Sequence, residues 1–592
     1  MADNIQTFKA ICRGGLNTTG DVLSQGEEAP GSATKLINYE PDLQGGYRRI
    51  SGFTNSYETV PGTGSVLGVA VVDGINQGIL ACRKPSSGNN YLHHYNHYYS
   101  FTVGADTNLT VGETLTERSD AADSSTVTNA TGVLISKSSN TIVVDFGQLP
   151  TNIFTNGNHI SDDSFSTSTN ITSAPAVIGW TAVSTSGSPT MTGVSKVRFN
   201  KFDFAGSPKV VLTDGVNPAA TYDGSTYTQI TDSNAPTDPL ISEIYGERLF
   251  LAGDPAKKNE VFFSATAAET DFSPANGAGS IGVGFDVVAL KVFRNILYVF
   301  GTNNIKRIIT DDSAFKFRVE NVTSNLGCLA TDSVVEIGGD LIFLSSDGIR
   351  PIGGTAKIGD VNLETVSTSI HKTLQNIIQT ETLSDLSAVL VRSKSQFRYF
   401  FSTSGSTGIL GGLRSQQGGL GFEFGTLFGI DPTCAASAYI GTTERVIHGD
   451  SSGKVHVQES GTSFDGSEIL SIYQTPYLYF GDPRRRKTFY DVSTYLRSEG
   501  VNSLSLGIVY DFDDNEILNP SNLTIANESP AAVYGSAIFD TTQIYDGNPA
   551  PVETSTFTGS GKSISFRFVA QDTNASHSIQ GFTVTFGMGD LR

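Results

Sequence analysis

Five segments of this chain repeat one pattern: a short apolar strand, a polar turn, then a second strand. They are KVVLTDGVNPAATYDG from Lys209, RLFLAGDPAKKNEVFFS from Arg248, ILYVFGTNNIKRI from Ile296, LIFLSSDGIRPI from Leu341 and RVIHGDSSGKVHV from Arg445. The first four begin 39, 48 and 45 residues apart, and a weaker unit, FRYFFSTSG from Phe397, falls between the fourth and fifth. A single hairpin of this kind cannot bury its apolar faces alone. Blades stacked around an axis bury both faces, which suits a nearly continuous run such as Leu297, Tyr298, Val299 and Phe300. Strand–turn–strand units at periods of 40 to 50 are the mark of β-propeller blades. A large β-sandwich or a β-helix is the competing arrangement, but a β-helix repeats over a shorter period. The expected fold is all-β, with a β-propeller-like body.

The remaining segments divide around that body. Residues 65–99 read as one more strand–turn–strand blade. Residues 117–192 turn Ser/Thr/Asn-rich, hold one strong strand at 141–146 and contain the single Trp, Trp180; they are expected to form a small β insertion. Val366, Ile370, Leu374 and Ile377 share one face at helical spacing, with Asp360 placed to cap, so one amphipathic helix is expected from about 361. After about 474 the blade pattern gives way to longer alternating strands. There Phe566 and Phe568 flank Arg567, and Phe582, Val584 and Phe586 alternate with Thr583 and Thr585, as in a half-buried sheet. The expected division is therefore an N-terminal docking segment (1–64), a first blade region (65–116), the insertion (117–192), the remaining blades with the helix near 361–380 (193–473), and a C-terminal β domain (474–592).

Composition narrows the function classes. Among 592 residues, 39 are Lys or Arg and 59 are Asp or Glu, a net charge of −20. A nucleic-acid grip needs clustered cations, so tight DNA binding is not expected. The aromatic content, 10%, excludes a disordered chain. Cys12, Cys82, Cys328 and Cys434 are scattered without a CxxC pair, and read as buried thiols rather than a zinc or dithiol motif. The opening MADNIQTFKAICRGG has no charged-then-apolar signal pattern, and no run reaches the length of an apolar membrane span. A soluble protein made in a cytoplasm is expected.

Several motifs invite chemistry and fail in context. Residues 277–282 spell GxGxxG, but a dinucleotide loop needs a helix after it and here a strand is expected. Gly559, Ser560, Gly561, Lys562 and Ser563 resemble a phosphate loop, but Thr556 stands where its first glycine belongs, so a hairpin turn is expected. His93 and His97 would share a strand face about 13 Å apart with His94 opposite, too far apart for one zinc ion. Asp511, Asp513 and Asn515 mimic half of a calcium loop, but Glu516 replaces the required glycine. Asp162 and Asp163 sit in a Ser-rich loop without a catalytic partner. No catalytic, cofactor-binding or metal residues are assigned, and no enzyme is expected. The one basic run, Arg484, Arg485, Arg486 and Lys487, is the candidate for an intersubunit contact on an otherwise acidic chain; the alternative is a solvated loop.

The N-terminus carries a further signal: Gly14, Gly15, Leu16 and Asn17; Gly31, Ser32 and Ala33; Asn38 and Tyr39; then Gly45, Gly46, Tyr47, Arg48 and Arg49, followed by Ile50, Ser51, Gly52 and Phe53. This order resembles the opening of the tail nozzle (tail tubular protein B-like) family of short-tailed bacteriophages. The phrases GERLF at 246–250 and NEVFFS at 259–264, Asp271 with Phe272, and the helix after Ile352 are also similar to that family. The resemblance implies a structural virion protein: a hexameric ring below the adaptor and portal, a conduit and gate for DNA ejection without tight DNA binding, and a platform for fibres or spikes. It implies assembly in the host cytoplasm, location in the virion tail, and no catalytic residues. This chain is shorter than many nozzle proteins, which leaves their platform domains open. Two other classes stand beside it: a receptor- or glycan-binding tail spike, even a depolymerase, and an unrelated ligand-binding propeller.

Overall fold

The computed structural model describes residues 5–589 except 77, 105–108, 120–126, 148–149, 151, 163–167, 190, 205, 311–316, 354–364, 402–406, 417–418, 515 and 528–551. Its core is a closed ring of seven blades. Each repeat seen in the sequence is the second strand of a blade, buried on both faces because a neighbouring blade covers each. Blade one is Thr63–Val71, Ile79–Lys84, Leu92–Thr102 and the returning Ala176–Ala182. Blade two is Arg198–Phe204, Ser207–Thr213, Ala220–Tyr222 and Thr226–Gln229. Blade three runs from Ile241–Tyr245 to Gly279–Gly282, and blade four from Ala289–Phe293 to Phe317–Thr323. Blade five has, among the described residues, the strands Val335–Ile337, Asp340–Ser345 and Gly348–Pro351. Blade six runs from Ser387–Val391 to Gly419–Phe428, and blade seven is Cys434–Ile440, Thr443–Gly449 and Val455–Gln458.

Most joints between blades have their own apolar core, whereas that between blades five and six is continuous with the core of the strap and sandwich. Val211 of blade two meets Leu249 and Leu251 of blade three. Phe250 and Val261 then meet Leu297 and Val299 of blade four, and Phe300 meets Leu341 and Phe343 of blade five. The ring shuts where Val69 and Ile79 of blade one meet Ile447 and Val455 of blade seven. The outermost strand of blade seven comes from the far end of the chain: Phe53–Thr54 pairs with Gln458 and Val457.

The N-terminal segment is a strap woven through the molecule. β1 (Ile5–Ile11) pairs with Gly581 through Gly587 near the C-terminus. β2 (Lys35–Ile37) fits between the last strand of blade six and Ile469–Gln474. β3 (Tyr39–Pro41) pairs with β4 (Tyr47–Arg49), which also pairs with Ile579 and Ser578, and β5 (Phe53–Thr54) closes blade seven. The described part of the segment expected to dock, residues 5–64, is threaded through both propeller and sandwich. Glycines allow the weave. A Cβ on Gly31 would stand 1.7 Å from the Ile11 carbonyl oxygen, and one on Gly46, where φ is +92°, 2.3 Å from that of Ile579.

The C-terminal region is a sandwich. One sheet runs Val552–Gly561, Lys487–Ser498, His577–Met588 and then β1; the other runs Ile469–Gln474, Ile564–Asp572, Asn502–Tyr510 and Leu523–Asn527. Phe489, Phe566, Phe568, Phe582 and Val584 fill the space between them, and Arg567 points out as the alternation requires. Ile469–Gln474 belongs to this sandwich, so the second body begins earlier than the loss of blade repeats suggests. The residues read as a hairpin at 559–563 turn a corner instead: Val552–Gly561 and Ile564–Asp572 lie in different sheets.

Two expectations shift. The insertion grows from blade one, whose long strand Leu92–Thr102 continues into it, and has its own core of Phe101, Leu115, Leu134, Ile142, Phe154 and Ile160. Trp180 lies on the return strand of blade one, stacked edge-on against Tyr95. The helix is shorter than its apolar face predicts: His371–Thr380 behind a 3₁₀ turn at Thr368–Ile370, with Leu374 and Ile377 buried. Val366 and Ser367 instead bond to Ile349 on the last described strand of blade five. Asp360 lies outside the described residues.

Candidate functional site: the propeller axis

The first strands of all seven blades enclose a cavity of about 500 Å³. These strands face the axis with one side, so they alternate and carry polar residues, unlike the largely apolar second strands. Blades one, six and seven contribute Val69, Val71, Ala388, Leu390 and Ala436; the others contribute Lys196, Arg198, Lys201, Glu243, Lys291, Asp332 and Glu336. On a chain of net charge −20, the axis has more cations than carboxylates.

Those charges bridge the axis. Arg198 of blade two donates both arms of its guanidinium to Asp332, at the entry to blade five, at 2.8 and 3.0 Å. Lys196 reaches the same carboxylate at 2.7 Å and donates to the Leu386 carbonyl at 2.6 Å. In a ring of seven, blades two and five are three places apart, so this cluster spans the channel. Burial opposes the charge on Asp332, but Arg198 and Lys196 outweigh it and hold the pKa at about 2. Burial raises the pKa of Glu243, partly offset by Lys291 at 3.4 Å. Asp332 is thus held ionised by two cations, a poor state for a proton-transfer group, which works best with a pKa near the operating pH.

A second charged cluster lies where the strap crosses blade six. Glu40, 2% exposed, accepts from Arg48 at 3.0 Å, Lys394 at 2.6 Å and Gln396 at 2.9 Å. Lys394 and the buried Arg398 also bind Glu459 and keep its pKa at about 2 against burial. Arg48 grips Glu499 bidentately and Arg49 binds Asp572 at 2.6 Å, tying the strap to the sandwich.

The residues singled out from sequence are scattered. Arg484 and Arg485 are exposed and face Asp482 at 3.7 and 3.6 Å. Arg486 donates to Ser560. Lys487 is fully buried, donates to the Asp482 and Lys562 carbonyls, and has its pKa lowered by burial to about 8. It is a structural group, and the surface cluster shrinks to its arginines. Reversing Arg484 and Arg485 to Glu should change the unfolding free energy by no more than about 0.5 kcal/mol, whereas Lys487→Glu should lose about 3 kcal/mol or more; urea titrations separate the two.

The other motifs serve the fold. Gly279–Gly282 is the outer strand of blade three. His93 bonds the Tyr91 carbonyl and His97 bonds Asp145 at 3.0 Å. Asp511 accepts from Ser563, and Asp513 accepts from Asn519; Asn515 and Asp163 lie outside the described residues. Among the described residues no cluster of three His, Cys, Asp or Glu side chains could hold a metal, and no helix is long and apolar enough to cross a membrane. All four cysteines are buried and free. Burial raises their thiols, Cys12 to about 12 and Cys328 and Cys434 to about 11.

Two buried histidines set an acid limit. His448 stacks on His456 beneath Phe53, and His577 lies 2.7 Å from the Tyr39 hydroxyl. Burial lowers both pKa values to about 3. The unfolded chain takes up protons near pH 6.5 that the folded chain refuses, so stability must fall as pH drops from there toward 3. By pH 5 the two together should cost about 4 kcal/mol. Unfolding titrations at pH 7 and pH 5 measure this, and His448→Gln should make the dependence shallower.

No family model matches the chain, and no curated protein does. Similar solved structures include an exo-β-1,3-galactanase from Phanerochaete chrysosporium with galactose (10% identity, TM-score 0.21, 88% of this chain and 100% of that one). Others are the AfRom2 CNH domain (12%, 0.27, 47% and 92%) and Hsv2p of Kluyveromyces lactis (9%, 0.23, 51% and 92%). Overlaps this slight carry no functional argument.

Proposed function

We propose that this protein is a structural subunit of a short phage tail, a nozzle protein whose copies form a ring, probed most directly as a hexamer. The observation that carries the reading is the strap. The N-terminal residues that resemble the nozzle family are those that weave propeller to sandwich: Gly15, Gly31, Gly46 and Gly52 each lie against backbone where a side chain has no room. A sequence that keeps this order of glycines keeps this junction, which gives the resemblance a physical basis.

In this reading DNA passes between subunits, through the lumen of the ring, because the axis of each propeller is small and bridged by Arg198 and Asp332. Six copies would carry six times −20, or −120, net charges. A conduit benefits from a wall that does not grip, since every phosphate contact would act as a brake. An acidic or polar lumen repels the duplex over about 8 Å at physiological salt. Opening and closing are conformational, and the chain catalyses nothing. The partners are an adaptor on the portal side and fibres or spikes, and the place is the virion tail.

Electron microscopy and native mass measurement of the purified protein, alone and with its tail partners, should show the ring. A chain that stays monomeric with its partners present overturns it. Tight, salt-sensitive DNA binding would contradict the conduit. Glycan cleavage lost on a point substitution would favour the depolymerising spike.

A further inference from the structure

Among the described residues, the first sheet of the sandwich ends in two edges without a strand partner. Its strands run Val552–Gly561, Lys487–Ser498, His577–Met588 and β1, each antiparallel to the next. Among the described residues, no strand pairs with the outer side of β1 or of Val552–Gly561. A free edge is a template for another chain, and proteins blunt it with prolines, bulges, short length or clustered lysines. β1 does little of this. Its seven residues keep unbroken register, contain no proline and only one lysine, Lys9, and leave Ile5 and Ile11 59% and 50% exposed.

We propose that the two edges belong to each other: β1 of one copy pairs antiparallel with Val552–Gly561 of the next, head to tail, so that one sheet runs from subunit to subunit. This rests on the ring reading above and names its interface. Strand direction permits it. Four alternating strands leave β1 antiparallel to Val552–Gly561, so a neighbour in the same orientation offers an antiparallel partner. The outer face permits it as well. Its cross-strand rows read Lys9, Thr583, Ser493, Thr554 and Thr7, Thr585, Asp491, Thr556. Hydroxyl rows of this kind pair across strands and continue over the joint without a step. Lys9 stands at one edge and Asp491 one strand in from the other, giving the joint opposite charges on its two sides. A contact between two different surfaces propagates from copy to copy, and gives a ring where the rotation between neighbours closes.

Cysteine pairs test it. Thr7→Cys is combined in turn with Thr554→Cys, Thr556→Cys and Thr558→Cys in the full chain, at high protein concentration under mild oxidation. The native thiols are buried and stay silent. At least one pair should convert most of the monomer band to reducible multimers, while every single variant remains monomeric on the gel. Dimers from Thr7→Cys alone would mean that β1 pairs with itself, and would overturn the proposal. Rings seen by native mass without a cross-link in any pair would overturn this interface and leave the ring reading standing. Neither ring nor cross-link would overturn both.

Discussion

Asp332→Ala is expected to destabilise the propeller by about 3–5 kcal/mol, the usual cost of leaving buried charges without their partner. Arg198 and Lys196 converge on this one carboxylate from blade two, so its loss leaves two neighbouring cations on one side of the axis without their counter-charge. The cavity admits some water, which favours the lower end of the range. Replacing the cluster together, with Lys196→Met, Arg198→Met and Asp332→Leu, should recover most of the loss, because a packed apolar axis is no worse than a satisfied ionic one. Denaturant titrations of the three proteins decide it. A loss below about 1 kcal/mol for Asp332→Ala would show that the bridge is solvated and contributes little. The wild-type contribution also has a defined acid limit. The folded pKa lies below the ordinary carboxylate value, so the stabilisation is present above about pH 4 and is lost as pH falls through 2.

Gly31→Ala should be nearly as damaging although it adds one methyl group. The new carbon would overlap the Ile11 carbonyl, and Cys12 stands just beyond. Both are backbone, so no side chain can swing away. The Gly31 carbonyl also accepts from Arg13, Tyr47 and Tyr473, which holds the glycine in place from the other side. Overpacking of this kind costs about 3 kcal/mol or more when nothing can yield. The effect should be local to the joint: faster proteolysis of the strap and weaker coupling of sandwich to propeller, with the blades intact. Gly282→Ala is the control, because a Cβ there meets nothing within 4 Å. Equal stability of the two variants would mean that the strap is loosely seated.

The blades were legible because their second strands are covered on both sides, and an apolar run such as 297–300 is hard to mistake. The sandwich strands were legible for a different reason, the strict alternation around Arg567 and Thr583. The axis was not. Arg198 and Glu243 sit on first strands with mixed faces, Asp332 sits on a short 3₁₀ turn before one, and nothing local marks it as the partner of a residue 134 positions away. The strap was hidden by brevity. β2, β3 and β4 have three residues each and β5 has two, too few for any period. The basic run misled through counting: Lys487 reads as surface charge until Lys562, 75 residues on, supplies the carbonyl that buries it.

Completing the last blade and the sandwich with strands from the N-terminal strap sets an order of events during synthesis. The strap leaves the ribosome first, yet β5 must wait about 400 residues for Val457, and β1 about 580 for Gly587. At typical elongation rates that delay is roughly half a minute to two minutes. Blades two to five need only sequence-local contacts and can assemble meanwhile. The strap, with its edge strand uncovered, is exposed to neighbouring nascent chains throughout. The slow, high-contact-order step is therefore the last one, and a chain truncated before the final strand His577–Met588 should accumulate with folded middle blades and an open seam.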